Sequence, residues 1–243
     1  MSEKPKILLT GAAGRIGRYL SEHLPKRFDL FLTDIREPEE TFGHPFQVAD
    51  IADLDAMRFL CQGKDMVIHF AADPSPAAPW ESLLPKNVIG AYNGFQAAQE
   101  AGCQRIVFAS SINAILGYPK EVQVKTDMPI YPPNLYGATK AWGEAVARFY
   151  AHQHDISCLC LRFGGVFNPD QVKLTADHPN LDYMITLADL TKLVIDCLDA
   201  PPDLKFGIYH GLSNNRWKHF DISNARQDLG YDPQDDAFQI AGY

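Results

Sequence analysis

The segment Thr10-Gly11-Ala12-Ala13-Gly14-Arg15-Ile16-Gly17 constrains this chain more than any other. Its spacing is G-x-x-G-x-x-G. It follows a short apolar run, Lys6 to Thr10, and leads into a stretch whose apolar residues Ile16, Tyr19, Leu20 and Leu24 recur at helical spacing. Glycine permits a tight turn and lets the main chain approach a bound group closely. A helix beginning there points free N–H groups and its positive dipole end at an anion such as a pyrophosphate. A lone glycine triplet is a weak signal, and a plain strand-to-helix turn is its alternative. Placed between a strand and a helix, it reads as a dinucleotide-binding turn, with Gly11, Gly14, Arg15, Ile16 and Gly17 in contact with the cofactor.

The same rhythm continues along the chain. Apolar strand-like runs at 30–33, 46–49, 66–70, 105–109 and 156–162 alternate with helical patterns at 54–61, 85–101 and 134–152. Six strands alternating with helices imply βαβ units, right-handed crossovers and a parallel sheet covered on both faces. The expected fold class is α/β, a Rossmann-like doubly wound parallel sheet. After Phe163 the rhythm weakens. Residues 164–185 read as loop, followed by helices at 187–198 and 222–229 and a short strand at 206–210. The predicted organisation is a dinucleotide-binding domain over 1–163 and a small substrate-binding annex over 164–243. Between the fourth strand and the next helix lies a Pro-rich stretch, Asp73 to Pro79. It is predicted to wall the substrate pocket, with Ser75 touching substrate, and its prolines limit the cost of ordering it.

Composition excludes several function classes. A net charge of −8 argues against nucleic-acid binding as the main activity. No apolar run approaches the ~20 residues of a membrane span, and the polar start of the chain lacks a secretory pattern. The five cysteines have no metal-ligand spacing and read as buried free thiols of a reducing compartment. We therefore expect a cytoplasmic protein with a small-molecule ligand, no metal site, and no membrane or nucleic-acid partner.

Two further patterns carry chemistry. Asp34 ends the second strand, where a carboxylate accepts hydrogen bonds from adenine-ribose hydroxyls and repels a 2′-phosphate. NAD is thus expected over NADP, although Arg36, two residues on, is a candidate partner for a 2′-phosphate. Tyr136 and Lys140 stand four apart and share a helix face. A free phenol has a pKa near ~10, too high for a base at neutral pH, and a nearby ammonium is expected to lower it. The phenolate then takes a hydroxyl proton while hydride leaves the same carbon, and the lysine also reaches the nicotinamide ribose. Ser110 and Ser111 end the fifth strand, where a hydroxyl can hold the reacting oxygen; Ser111 is the predicted third catalytic residue. An exposed Tyr–Lys helix pair without function is the alternative.

Together these residues resemble the extended short-chain dehydrogenase/reductase (NAD-dependent epimerase/dehydratase) family. The resemblance runs along nearly the whole chain: the glycine turn, Asp34, Asp50-Ile51, His69-Phe70-Ala71-Ala72, Asn87-Val88-Ile89-Gly90, Ser110-Ser111, Tyr136 to Lys140, Asp189, and Leu229-Gly230-Tyr231. It implies that Asp50 and Ile51 flank the adenine, that Ala71 lines the cofactor groove, and that Asn87 holds the catalytic region from a neighbouring helix. Within the family the chain is most similar to uronate dehydrogenases, which oxidise the anomeric carbon of hexuronic acids. It departs from them where Ile112-Asn113 stands for their Asn-His and Gly165 for a serine; their carboxylate-binding arginine has no obvious counterpart, the nearby candidate being Lys173, and Ser75 matches. The implied substrate residues are Ser75, Ser111, Asn113 and Tyr136. The expected activity is NAD-dependent oxidation of a sugar or sugar acid. A nucleotide-sugar epimerase or dehydratase and an NAD-binding regulator are the rivals. A homodimer or higher homo-oligomer is implied, paired through the helices at 85–101 and 134–152.

Overall fold

A computed structural model describes residues 4–243; residues 1–3, part of the polar start discussed above, lie outside it. The first part of the chain forms β1 (Lys6–Thr10), α1 (Arg15–His23), β2 (Asp29–Asp34), β3 (Phe46–Val48), α2 (Leu54–Cys61) and β4 (Met66–His69). Next come α3 (Trp80–Leu83), α4 (Gly90–Glu100), β5 (Arg105–Ser111), α5 (Leu135–Gln153) and β6 (Ser157–Phe163). The tail adds β7 (Gly165–Phe167), β8 (Met184–Thr186), α6 (Leu187–Leu198), β9 (Phe206–Gly211), α7 (Ser223–Leu229) and α8 (Ala237–Ile240). Seven strands form one parallel sheet in the order β3-β2-β1-β4-β5-β6-β9. This is the doubly wound order 3-2-1-4-5-6 with one strand added.

The period of two along each strand sorts the core into two layers. Ile7, Leu9, Leu30 and Leu32 pack with Leu20 of α1 and with Leu190, Leu193 and Val194 of α6. Leu8, Val67, Ile106 and Phe108 pack on the other face, against Met57 of α2, Phe95 of α4 and Val146 and Tyr150 of α5.

Two expectations are corrected. The helix read over 85–101 is instead α3, a π-helical turn at Leu84–Ile89, and α4. Pro85 has no N–H to give to the preceding turn and its ring crowds the carbonyl four residues back. The ladder widens there, and Gly90 N donates to Pro85 O. The tail also does not stand apart from the sheet. β9 pairs with β6, and α6 shares the core of α1, so a boundary at 163/164 runs through one core. As an edge strand, β9 is only partly buried over its first half, which weakens its apolar signal. What remains outside the sheet layers includes the β7–β8 pair and α8, around Phe167, Leu174, Met184 and Phe238. No described helix is long and apolar enough to cross a membrane.

Candidate active site

The glycine turn is tied to β2. Gly11 N and Ala12 N donate to Thr33 O at 3.0 and 3.1 Å, and Ala13 N donates to Asp34 Oδ2 at 3.0 Å. Gly11 holds φ +80°, and a Cβ on Gly17 would lie 2.1 Å from Gly11 O, so a side chain at either position would open the turn. From the next strand, Thr10 Oγ1 accepts from Phe70 N and Ala71 N at 3.1 Å each. His69 Nε2–H donates to Gly90 O at 3.1 Å, leaving Nδ1 to accept from Thr10 Oγ1 at 3.1 Å. Burial, and to a lesser degree Lys140, lowers the His69 pKa to about 4, so this ring is neutral packing rather than a proton donor.

α1 begins at Gly14 without a side-chain cap. Its first-turn N–H groups, those of Arg15 and Ile16, are therefore open to an anion. A cleft of about 720 Å³ runs past this point, lined by Gly14, Arg15, Arg18 and Arg36. Among the described residues Asp34 Oδ1 accepts only from Arg36 N, at 3.4 Å, and keeps acceptor capacity. Ala71 sits against Gly11, its backbone N 2.8 Å from where a Cβ on Gly11 would lie. Asp50 is exposed and accepts from Ala52 N at 2.9 Å, whereas the Ile51 side chain is buried beneath Gly90. A second cleft, about 690 Å³, opens at the amino ends of the strands beside Arg105. There Arg105 already donates to the carbonyls of Cys197, Leu198, Ala200 and Pro201, which seals the end of α6.

The carboxyl end of β5 meets the start of α5 in a chain of hydrogen bonds. Asn134 caps α5 by accepting from Gly137 N at 2.8 Å and donates to Asn113 Oδ1 at 2.8 Å. Asn113 N and Nδ2 donate to Ser111 Oγ at 3.1 and 3.2 Å. A Cβ on Gly137 would lie 2.1 Å from Asn113 O, so only glycine lets α5 come this close. Tyr136 and Lys140 follow on the buried face of α5, at 7% and 4% exposure. Lys140 Nζ donates to Ala109 O at 2.8 Å and lies 5.6 Å from the centre of the Tyr136 ring.

The electrostatics differ from the sequence expectation. Burial raises the Tyr136 pKa; a hydrogen bond with Ser111 opposes this, and the charge of Asp73 adds to it. Burial is the larger influence on the phenol, and Lys140 Nζ donates to Ala109 O. Burial brings the Lys140 pKa down to about 8, against the charges of Asp73 and Glu144.

The paired serines part company. Ser111 faces Tyr136, but Ser110 donates to Glu144 Oε1 at 2.6 Å. Glu144 also receives Arg162 Nε at 2.7 Å and Nη2 at 2.8 Å, a buried bidentate pair. Asn87 is buried and lies beside the pair: its Oδ1 accepts from Asp73 N at 2.8 Å, and its Nδ2 reaches Asp73 O at 3.0 Å and Thr139 Oγ1 at 3.3 Å. Ser75 is exposed, and its hydroxyl accepts from Ala77 N at 3.3 Å within its own turn. The residue of this loop that faces Tyr136 and Lys140 electrostatically is Asp73, which sequence reasoning used only as a boundary. Glu144 and Arg162 were also passed over. Glu144 was visible as the residue four beyond Lys140 on the same helix face; Arg162 had no signal beyond a charge inside an apolar strand.

The NAD dependent epimerase/dehydratase family matches this chain over residues 7–198. The chain belongs to this family. Its cofactor is NAD, and the uncapped helix start, the closed glycine turn and the Asp34 carboxylate fit that group. Among similar family proteins is an NAD-dependent glucose-6-phosphate dehydrogenase of Haloferax volcanii, 34% identical, with 96% of this chain and 95% of that protein covered. A uronate dehydrogenase of Pseudomonas syringae pv. tomato is 33% identical, with 95% and 82% covered. Of solved structures, a glucuronic acid dehydrogenase from Chromohalobacter salexigens superposes with TM-score 0.87 at 33% identity, covering 96% of this chain and 85% of that one.

Proposed function

We propose that this protein is an NAD-dependent dehydrogenase that oxidises a small sugar or sugar acid. The observation that carries the reading is the buried Tyr136–Lys140 pair one turn apart on α5, with Ser111 at the carboxyl end of β5 close enough to the phenol to favour its ionisation. Relatives that span nearly the whole chain are named for oxidation of glucose 6-phosphate and of uronates, so an aldose or uronate oxidised at its anomeric hydroxyl is the substrate class. A solved UDP-galactose 4-epimerase, 18% identical, shares the fold alone, and a UDP-glucose 4-epimerase of Mycolicibacterium smegmatis, 29% identical, matches 68% of this chain but 58% of its own length.

NAD, when bound, supplies the hydride acceptor. Gly11, Gly14, Arg15, Ile16 and Gly17 hold its pyrophosphate, Asp34 its adenine ribose, and Asp50, Ile51, Ala71 and Asn87 border its groove. Ser111 binds the reacting sugar oxygen. Tyr136 accepts the proton of that hydroxyl as phenolate, and the Lys140 ammonium, 5.6 Å from the ring centre, stabilises the phenolate. Asn113 and Ser75 border the sugar, as do the parts of the tail that rise above the sheet.

The same reading includes a homodimer. Leu135, Trp142 and Phe149 recur every seven residues on α5 and are 45–54% exposed beside Ile89 and Tyr92 at 40–42%. This apolar strip on two adjacent helices is suited to a second copy of itself.

The decisive experiment is a screen of aldoses, aldose phosphates and uronic acids with NAD, following NADH absorbance and substrate consumed. Equal amounts of NADH and oxidised sugar, from protein that purifies free of cofactor, are expected. Sugar isomerised without NADH, by protein carrying about one tightly held NAD per chain, would establish the epimerase instead. NAD binding without turnover on any sugar would favour the regulator.

A further inference from the structure

Asp73 lies four residues beyond His69, where the chain leaves the sheet. Its backbone is gripped on both sides by the Asn87 amide, which also reaches Thr139, the residue before Lys140. The carboxylate is thus held in register with the catalytic pair. Around it stand the Ser82 hydroxyl of α3 and Lys86 of the π-helical turn, whose ammonium is 3.9 Å away, and the charge of the carboxylate acts on Tyr136 and Lys140 of α5. Burial raises the Asp73 pKa, but Ser82, Ser75 N and the two ammonium groups outweigh it and hold the carboxyl below its usual range. It is a fixed negative charge at neutral pH.

Its acceptor capacity is only half used. Oδ1 accepts from Ser75 N at 3.0 Å and Oδ2 accepts from Ser82 Oγ. A carboxylate offers about four lone-pair sites, so about two are left, and the side chain keeps 18% of its surface open. A polyhydroxylated ligand brought to Tyr136 for oxidation places a second hydroxyl one carbon away from the first.

We infer that Asp73 is a positioning and specificity residue, whose open lone pairs accept a hydrogen bond from the hydroxyl next to the reacting carbon of the sugar. The inference rests on the dehydrogenase reading above. For an aldose oxidised at C1, the hydroxyl in question is the 2-hydroxyl. A 2-deoxy sugar leaves the carboxylate without its partner, and an anionic group at that position meets like charge. Both are therefore disfavoured, as expected where a site built to bond a hydroxyl receives an analogue that lacks it.

The test compares kcat/KM for the best aldose or uronate and its 2-deoxy analogue in wild type, Asp73→Asn and Asp73→Ala, with NAD affinity measured in each to confirm an intact fold. Wild type is expected to prefer the 2-hydroxy sugar by about 10–100-fold, the size of a hydrogen bond to a charged group. That preference collapses in Asp73→Ala while NAD affinity holds. If Asp73→Ala fails to fold, Asp73→Asn, nearly identical in shape, carries the comparison with a reduced preference. Asp73→Asn is also expected to move the acidic limb of kcat/KM to lower pH, because the charge it removes raises the Tyr136 pKa; that shift reads the charge beside the phenol, and the 2-deoxy comparison reads the contact with the sugar. Turnover with an unchanged preference for the 2-hydroxy sugar overturns the role of Asp73 alone. Wild-type protein that makes no NADH from any sugar overturns the dehydrogenase reading, and this inference with it.

Discussion

At the scale of single residues, the consequence of the buried phenol is alkaline chemistry. In the mechanism proposed above Tyr136 acts as phenolate, and burial holds its pKa above the ordinary value in the free protein. The rate of sugar oxidation is therefore expected to rise as pH increases above 7, checked by kcat/KM from pH 6 to 10; a maximum on the acid side would contradict it. Tyr136→Phe is expected to bind NAD normally and lose about 10²–10⁴-fold in kcat, the usual worth of a general base. Asp34→Ala is expected to weaken NAD and narrow its advantage over NADP, read by titrating both cofactors, since the variant removes the charge that opposes a 2′-phosphate and leaves Arg36 in the same cleft. Tyr136, Lys140 and Asp34 were legible in the sequence because each is a fixed chemical type at a fixed offset from a strand or turn. Asp73 was not. Its meaning depends on Asn87, fourteen residues away, and on the approach of Thr139, which no local spacing encodes.

Elements show a different balance. The glycine turn and α5 were readable because their constraints are local: closeness of main chain at Gly11 and Gly17, and a face repeating every four residues from Tyr136 through Lys140 to Glu144. The π-helical turn at Leu84–Ile89 was hidden, because Pro85 at the first positions of a helix is ordinarily well tolerated. Where Asn87 points depends on that widened turn. The pairing of Ser110 and Glu144 with Arg162 was equally hidden, since it joins β5, α5 and β6. It makes a strong demand on stability. Arg162→Met leaves the Glu144 carboxylate buried without its partner, at an expected cost of about 3–5 kcal/mol. At ~2–4 °C per kcal/mol for a domain of this size, the melting temperature should fall by about 10 °C. The double variant Glu144→Gln/Arg162→Met is expected to recover part of the loss, measured by thermal unfolding.

For the molecule as a whole, the sheet order followed from the alternation of strands and helices, and six of its seven strands were plain. The seventh was seen but not placed, because an edge strand half open to solvent looks much like a loop. The dimer proposed above is expected to come apart in Trp142→Glu, with sedimentation or light scattering showing a monomer. Acid should loosen the whole fold. Burial, the leading cause for both, takes the His69 pKa to about 4 and that of His210 to about 3, against about 6.5 in the unfolded chain. Below pH 6.5 the unfolded chain takes up protons that the folded rings refuse, so stability declines as pH falls toward these values. Replacing either ring with a residue that does not titrate should flatten that decline in urea melts run from pH 7 to 4. The late return of β9 to the sheet also has a consequence for synthesis. A ribosome making this chain delivers β6, every residue of it buried in the finished molecule, some forty residues before the strand that covers its edge. Until residues 206–211 emerge, the growing polypeptide carries an apolar, unpaired strand edge open to other nascent chains. Rare codons or stalling between residues 164 and 205 should therefore send more of the product into aggregates than equal delays placed before β5.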